Sequence, residues 1–408
     1  MSAIEERKRG GVVQSVIAVA AVCLVFAVMQ GVHDNYGIML KGIVEYTGIS
    51  YASVSLVIAV GQILYGVSQP FFGMLALKKS NAFVMFCGII LMAIGLITTP
   101  FCKGMWSLLI FFGIILPSGT GALCFGILMG AIAPIIGDQK AALVSGVVQA
   151  SAGVGDALMS PALQYLTQWH GITVSMTTFS IPILLMIPVT VWLGRKGKKE
   201  KKADLRQTKP EQKGKEENLF TILRAAFGDL AYWCLLIGFS TCGFHMAIIE
   251  THLFSQYVSC GIPAGTASFA MTVYGIATML GAIVTGFLGQ KFKMKNVLAL
   301  VYGIRVLIAI GFLVLPKSVP FAFIATGLLG LTGDSTVPPT TGIISSKVGV
   351  AKMAIVYGSI FIGHQIGAFT SAWLGGILVN TSLSYSALWI VDLCLSITAA
   401  AASFRIRE

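Results

Sequence analysis

The feature that most limits how this chain can fold is a short basic segment between two long apolar stretches. Residues 195–217 contain ten Lys and Arg residues. On each side lie about six apolar segments of roughly 20 residues or more, the length that a helix needs to cross a bilayer at a rise of about 1.5 Å per residue. This layout predicts two bundles of membrane-spanning helices joined by a polar linker.

The composition agrees with a membrane-embedded fold. Of the 408 residues, 56% are hydrophobic and only 11% are charged, whereas roughly a quarter of the residues of a soluble domain are charged. The apolar runs are continuous, which argues against the alternating pattern of a β-barrel. The 46 glycines are typical of membrane helices that approach one another closely. We therefore predict an all-α membrane protein.

We predict twelve transmembrane helices in two pseudo-symmetric six-helix lobes. Residues 1–194 would form the N-terminal lobe, 195–228 a mobile basic cytoplasmic linker, and 229–408 the C-terminal lobe. An amphipathic surface helix is expected over 217–228. The predicted spans are 11–40, 49–76, 81–100, 105–136, 140–168, 171–194, 229–258, 263–289, 295–315, 319–346, 350–378 and 384–404.

The distribution of positive charge predicts the orientation of the chain. With a cytoplasmic N-terminus, 24 of the 28 Lys and Arg residues fall on the inner side. Lys41, Lys103 and Lys317 fall outside, and Arg305 lies within the ninth span. This is the positive-inside pattern, so the net charge of +12 reports topology and not a nucleic-acid partner. We expect a multi-pass monomer in the cell inner (plasma) membrane with both termini cytoplasmic.

The two halves of the chain repeat one another. Gly146 and Gly155 in the fifth span are nine residues apart, as are Gly358 and Gly367 in the eleventh span. The segment that begins at Gly73 and ends at Lys78 is matched by the segment from Gly286 to Lys291 at nearly the same offset. Two independent pairs at nearly one offset indicate duplicated six-helix halves.

The duplicated segments resemble a signature loop of the major facilitator superfamily. The sequences GMLALK from Gly73 and GFLGQK from Gly286 are similar to its G-x-L-a-D-[RK]-x-G-[RK] loop, with Leu77 and Gln290 in the acidic position. The resemblance in layout covers nearly the whole chain. It implies the major facilitator fold and secondary active transport by alternating access, with proton coupling or exchange, of a small-molecule substrate.

The C-terminal half resembles bacterial members of the monocarboxylate and oxalate/formate transporter group. The matching segments are DSTVPPTT from Asp334, GHQIGAFTSAWLGG from Gly363, and Ser384-Tyr385. This resemblance implies that a monocarboxylate anion is the substrate. It also places His364 at or beside a lysine that contacts the substrate carboxylate in the oxalate transporter.

Four ionisable residues fall at one level near the middle of their spans: Asp156, His245, Asp334 and His364. A charge at mid-helix costs about 2.5 to 3.5 kcal/mol on translocon scales, so these residues are the first candidates for substrate and proton binding. A histidine can carry a proton or present a cation to an anion. The alternative is that the histidines pack as neutral rings and that the carboxyl groups hydrogen-bond to neighbouring helices.

Further polar candidates accompany these four. Gln149 and Ser151 precede Asp156 by one or two turns, and Gln365 adjoins His364. The first span ends in a polar group that includes Asp34 and Asn35. This group would select the substrate, or form an outer gate with Glu250 and His252, or simply be a hydrated helix end.

Arg305 and Asp392 lie at matched depths in the ninth and twelfth spans, which are peripheral in the superfamily's layout. We predict that they form a structural ion pair. A substrate-binding arginine is the less favoured interpretation.

Other classes of function are less consistent with the sequence. No phosphate-binding loop, catalytic cluster or metal-ligand spacing is found outside the spans, so we expect neither an enzyme nor a cofactor or metal. The eighth span lacks the arginine that relatives in the monocarboxylate group often carry, with Ala282 in the nearest position. Efflux of amphipathic drugs is therefore the alternative within transport, and a non-transporting membrane sensor is the alternative from another class.

Overall fold

The computed structural model describes residues 3–136, 138–207, 219–381 and 385–407. Among these residues, nine helical segments are long and apolar enough to cross a membrane. One of them, Val144–Gly197, holds two spans because the helix bends at Gly171, where φ is 79°. The interrupted helix between Val319 and Val348 and the helix Val350–Asn380 complete twelve spans. The predicted all-α fold is confirmed.

The N-terminal lobe contains helices α1 to α6. Helix α5 begins at Asp138 and meets α6 at Gly171 within one continuous helical run. The bounds are α1, Ala3–His33 and Tyr36–Thr47; α2, Tyr51–Lys78; α3, Asn81–Thr98; α4, Met105–Ala122 and Phe125–Ile136; α5 and α6, Asp138–Leu184, with α6 continued by Ile187–Gln207.

The C-terminal lobe contains helices α7 to α12 and is preceded by the short helix Leu219–Phe227. Ser318 caps α10, where its hydroxyl accepts a hydrogen bond from the Phe321 N–H. The bounds are α7, Leu230–Ser259; α8, Ala264–Lys291; α9, Met294–Val314; α10, Val319–Thr332, Asp334–Thr336 and Val337–Val348; α11, Val350–Asn380; α12, Tyr385–Arg405.

The linker region differs from the prediction. Helix α6 continues to Gln207, past the predicted end at 194, because Lys, Arg and Glu are good helix formers. Residues 195–207 are therefore helical, 208–218 lie outside the described residues, and the mobility of the linker stays a prediction. The surface helix predicted over 217–228 is present as Leu219–Phe227. The domain boundaries at 194 and 229 stay predictions.

Helix α7 begins next to the linker with an ionic cap. The Asp229 carboxylate accepts a hydrogen bond from the Ala231 N–H at 2.9 Å and lies 2.9 Å from the Lys347 ammonium at the end of α10. Partial burial acts in the opposite direction, but these two partners together lower the pKa of Asp229. The carboxylate therefore stays charged at neutral pH and fixes α7 to α10 at this end of the lobe.

We call the membrane face that carries the linker the linker side, and the opposite face the far side. From the middle of the bundle toward the far side, the two lobes meet along α2 and α11 and along α5 and α8. Gly376 of α11 packs on Ser55 of α2, and Gly153 of α5 packs on Gly275 of α8 so closely that a Cβ at either position would overlap the opposite backbone. A crevice of about 720 Å³ remains at the far ends of α1, α5, α7 and α8.

Toward the linker side, the same four helices separate. A Cβ added to Gly73 of α2, Gly146 of α5, Gly286 of α8 or Gly358 of α11 would meet no neighbouring atom within 4 Å. These are four of the six glycines of the two sequence repeats, two from each lobe, which indicates that they hold equivalent positions in the two lobes. These glycine contacts between the lobes therefore lie from mid-membrane to the far side, and the four glycines on the linker side make none.

The first and fourth helices of each lobe are interrupted near mid-membrane. Helix α1 breaks at Asp34 and Asn35, and α10 breaks at Gly333. Helices α4 and α7 each contain a wide π-turn, which in α7 covers Ile248–Leu253. Interrupted helices expose backbone groups and turn side chains inward, and they are frequent at functional sites.

Candidate functional site

The site lies where the break in α1 faces the wide turn of α7. His33 and Asp34 come from the end of the first segment of α1, and Glu250 comes from the π-turn of α7. One ligating atom from each of these three side chains lies within 4.8 Å of the others. On α1, a Cβ on Gly37 would lie only 3.0 Å from the Glu250 carbonyl oxygen, so the two helices are in close backbone contact here.

Amides from neighbouring helices bind the two carboxyl groups. The Gln62 amide of α2 donates to Glu250 Oε2 at 3.2 Å. The Gln30 amide donates to Asp34 at 3.4 Å, from one turn earlier in α1. The His33 ring lies over Tyr65 of α2, with the ring centroids 4.5 Å apart. The polar groups of α1 are therefore fixed from both the N-terminal lobe and α7.

A third carboxyl group, that of Asp156 in α5, lies at the same break in α1. It accepts hydrogen bonds from the Asn35 amide at 3.0 Å and from the Ser160 hydroxyl at 3.4 Å. Ser160 also donates to the Asn35 side-chain oxygen, so the three side chains form one network. Asp156 Oδ2 is buried and has no hydrogen-bond partner in the described part of the chain. The oxygen would lie 3.2 Å from a Cβ on Gly275 of α8, so it points toward the opposite lobe.

Asp334 lies at the break of α10 and faces α5 and α11. Its carboxyl group hydrogen-bonds to the Gln149 side chain and interacts electrostatically with His364. The His364 ring stacks on Phe361 with the centroids 5.3 Å apart and the planes 9° apart. His364 Nδ1 is buried without a hydrogen-bond partner among the residues described. Gln365 is also buried and packs on Gly66 of α2, across the lobe boundary.

The four carboxyl groups belong to one electrostatic unit, which we call the carboxyl cluster: Asp34, Asp156, Glu250 and Asp334. Asp34 interacts electrostatically with each of the other three. Two members come from each lobe, and each member lies on a different helix. Of the predicted site residues, the structure thus brings together Asp34, Asn35, Asp156, Gln149, Asp334 and His364, with Gln365 beside them.

Two predicted site residues lie apart from the cluster. The Ser151 hydroxyl donates to the Val148 carbonyl at 2.6 Å and its side chain contacts Cys23 of α1, so it does not face Asp334. His245 Nδ1 lies 2.9 Å from Asp392 Oδ2 of α12, and both side chains are fully buried. His245 therefore points toward the periphery of its lobe.

The predicted Arg305–Asp392 ion pair is wrong, because Asp392 is bound to His245 instead. The Arg305 guanidinium donates from one nitrogen to the carbonyl oxygens of Thr332 and Gly333, the second at 2.9 Å. These are the carbonyls at the end of the first segment of α10, which lack helical donors. Arg305 thus caps the break that places Asp334.

Gln62 was absent from the sequence-based site, and His33 entered it only as part of the polar end of the first span. Glu250 and His252 were considered only as an outer gate. Glu250 instead belongs to the cluster, whereas His252 lies 2.9 Å from the Tyr51 hydroxyl of α2. The available signal for Gln62 was that it is an isolated polar residue in an apolar span. Its position in the sequence does not show which neighbouring helix its side chain faces.

A two-lobed bundle of twelve helices with a polar site at the lobe junction defines a membrane transport protein rather than an enzyme. The family model described as Major Facilitator Superfamily matches residues 18–316 and 256–408. The chain belongs to this superfamily, as its signature segments predicted.

Individual relatives are distant. Monocarboxylate transporter 12 of Rattus norvegicus is 22% identical over 328 residues, which cover 74% of this chain and 67% of that protein. Among solved structures, a bacterial homologue of the human lysosomal transporter Spinster, in an inward-facing and occupied conformation, superimposes with a TM-score of 0.72 at 14% identity, covering 95% of each chain. A D-xylose–proton symporter also gives a TM-score of 0.72, at 11% identity, covering 96% of this chain and 98% of that one. These structures share the fold.

Proposed function

We propose that this protein is a proton-coupled carrier that moves a small monocarboxylate by alternating access. The observation that carries the proposal is the carboxyl cluster, in which two acidic side chains from each lobe interact across the lobe junction. When the lobes rock against each other, the surroundings of these groups change. A group that is alternately exposed to the two sides of the membrane can take up a proton on one side and release it on the other.

Asp156 and Asp334 are the proposed proton carriers. Each of the two carboxyl groups lies next to the opposite lobe. Each also hydrogen-bonds to a neutral amide, Asp156 to Asn35 and Asp334 to Gln149. A neutral amide can hold either the charged or the protonated carboxyl group, because it offers both a donor and an acceptor. The lobe motion can therefore change the protonation state without breaking the hydrogen bond.

The choice of a monocarboxylate has two supports. One relative, Monocarboxylate transporter 12 of Rattus norvegicus, is similar over 74% of this chain. In addition, a proton and a carboxylate moving together add no net charge to a site that already contains four acidic groups. His364, which interacts electrostatically with Asp334, would supply the positive charge that meets the substrate carboxylate.

Efflux of an amphipathic aromatic compound is a second candidate. Aromatic side chains line the path from α2 to α11 and α7: Tyr65 lies against Phe361, which contacts Phe239 and stacks on His364. Such surfaces bind flat apolar cargo well. The α8 helix contributes no charge that would repel this cargo, since Thr272 to Gly289 are all uncharged.

Counterflow in proteoliposomes separates these candidates. We expect lactate, pyruvate or formate to exchange with its labelled form, and an inward proton gradient to drive accumulation. Oxalate and neutral solutes serve as comparison cargo. Transport of amphipathic dyes without any monocarboxylate exchange would favour efflux, and the absence of transport of any member of the panel would contradict both candidates.

The same assay tests His364. His364→Gln retains hydrogen-bonding groups but cannot become a cation, so we expect weaker monocarboxylate binding and a flatter dependence of binding on pH between roughly 5 and 8. If the ring only packs between Phe361 and Phe239, the substitution will lower stability and leave the pH profile of the remaining transport unchanged. That result would remove His364 from the anion site.

We further propose that the chain functions as a monomer in the cell inner membrane with both termini and the linker in the cytoplasm. The distribution of Lys and Arg supports this orientation. Trypsin added to right-side-out cells should leave Lys198 to Lys202 uncut, whereas inside-out vesicles should expose them. Cleavage from outside intact cells would contradict the orientation.

A further inference from the structure

His33, Asp34 and Glu250 form a set of potential metal ligands. They offer one imidazole nitrogen and two carboxylate oxygens, all within 4.8 Å of one another. Transition-metal dications favour this combination of nitrogen and oxygen ligands. Two of the ligands belong to α1 and the third belongs to α7, so a bound ion would join the N-terminal lobe to the C-terminal lobe.

A separate feature of the site also points to a ligand. The Tyr36 side chain is only 1% exposed, and its hydroxyl has no hydrogen-bond partner in the described part of the chain. That hydroxyl interacts electrostatically with both Glu250 and Asp34, so it lies near both carboxyl groups. His33 is 4% exposed, and its Nδ1 likewise lacks a partner among these residues. Buried polar atoms of this kind normally have a partner.

Surrounding amides hold the two carboxylate ligands in position. Glu250 is bound by Gln62 through Oε2, and Gln30 fixes Asp34, so both carboxylates are oriented by surrounding amides. Outer hydrogen bonds of this type hold metal ligands in place. Metal–ligand distances are about 2.0–2.2 Å, so the distances between the three ligating atoms need to shorten by about 1 Å. Rotation of the side chains can supply this change.

We propose that His33, Asp34 and Glu250 bind a divalent transition-metal cation such as Zn²⁺, with Tyr36 facing the bound ion or its water. The ion joins the broken end of α1 to the wide turn of α7 and so holds the two lobes together at this level. Metal binding itself does not depend on the proposed transport function. We also expect the bound metal to block transport, because a carrier held in one arrangement cannot cycle, and this second expectation rests on the proposed transport function.

Binding is tested by isothermal titration of Zn²⁺ into purified protein without an affinity tag, in nanodiscs and after treatment with EDTA. We expect one saturable site per chain and a rise in thermal stability with Zn²⁺, since an ion that binds only the folded state stabilises it. Because loss of an outer-sphere partner alone lowers metal affinity about 10–100-fold, His33→Gln and Glu250→Gln should each weaken binding by about 100-fold or more.

His170→Gln is the matched control, because His170 is an exposed histidine at the far end of α5. This variant should bind Zn²⁺ like the parent protein. Equal affinity in the parent, His33→Gln and Glu250→Gln, or the absence of a saturable site, would overturn the proposal. Counterflow without metal tests transport separately, so a failed metal titration and a failed transport assay can be distinguished. Saturable binding with undiminished counterflow would refute the proposed joining of the lobes.

Discussion

Arg305→Gln is expected to destabilise the protein by about 3 kcal/mol, because it removes the donor shared by the carbonyls of Thr332 and Gly333. Each buried carbonyl left without a partner costs about 1–3 kcal/mol. Arg305 is fully buried, so water does not replace the lost donor. The measurement is thermal unfolding of purified protein in detergent.

Two comparison variants distinguish capping from charge pairing. Arg305→Lys keeps the charge but has a single donor group and should lose part of the stability. Asp392→Asn leaves the two carbonyl contacts of Arg305 in place, so it should not reproduce the effect of Arg305→Gln. If Arg305→Gln unfolds at the parent temperature while substrate affinity is lost, Arg305 belongs to the binding site and the capping role is wrong.

Asp156→Asn is expected to reduce proton-driven accumulation to the level of protein-free vesicles. An amide can accept the hydrogen bonds from Asn35 and Ser160 but cannot carry a proton. Exchange of substrate for substrate requires no net proton movement and should persist in the variant. The two modes are measured on the same proteoliposomes, with and without an imposed pH gradient.

Asp229→Asn is the control for this experiment. It removes an acidic group outside the membrane spans, and asparagine retains the helix-capping geometry, so both transport modes should continue. Its pairing with Lys347 would be lost, which is a small change at a partly exposed site. Gradient-driven accumulation by Asp156→Asn at the parent rate would rule out Asp156 as the proton carrier.

The helical layout could be predicted from the sequence because apolar runs and Lys placement act over whole segments. The break in α10 had a local signal as well, since Gly333 precedes Asp334 and two prolines follow. The wide turn in α7 had none. The segment Ile248–Leu253 contains neither Gly nor Pro, and the turn accompanies the close approach of α1 at Gly37. For that reason Glu250 was grouped with Asp34 only as one alternative, an outer gate, and was not expected in one cluster with Asp156 and Asp334.

The error at Arg305 has a similar origin. Depth along a helix follows from counting residues, and counting predicted that Arg305 and Asp392 lie at comparable levels. The direction of a side chain around the helix axis depends on how neighbouring helices pack, which one sequence does not specify. In the structure, His245 binds Asp392, and Arg305 donates to carbonyl oxygens at the break in α10.

The open glycines on the linker side bear on the energy difference between the two end states of the carrier. From mid-membrane to the far side, α5 and α8 are in backbone contact at Gly153 and Gly275. Closure of the linker side would require α5 and α8 to approach each other in the same way at Gly146 and Gly286. Both residues are glycines, so no side chain would prevent this contact. One set of close helix contacts would then replace another of the same kind. We therefore expect the two states to differ by only a few kcal/mol, so that cargo and proton can decide between them.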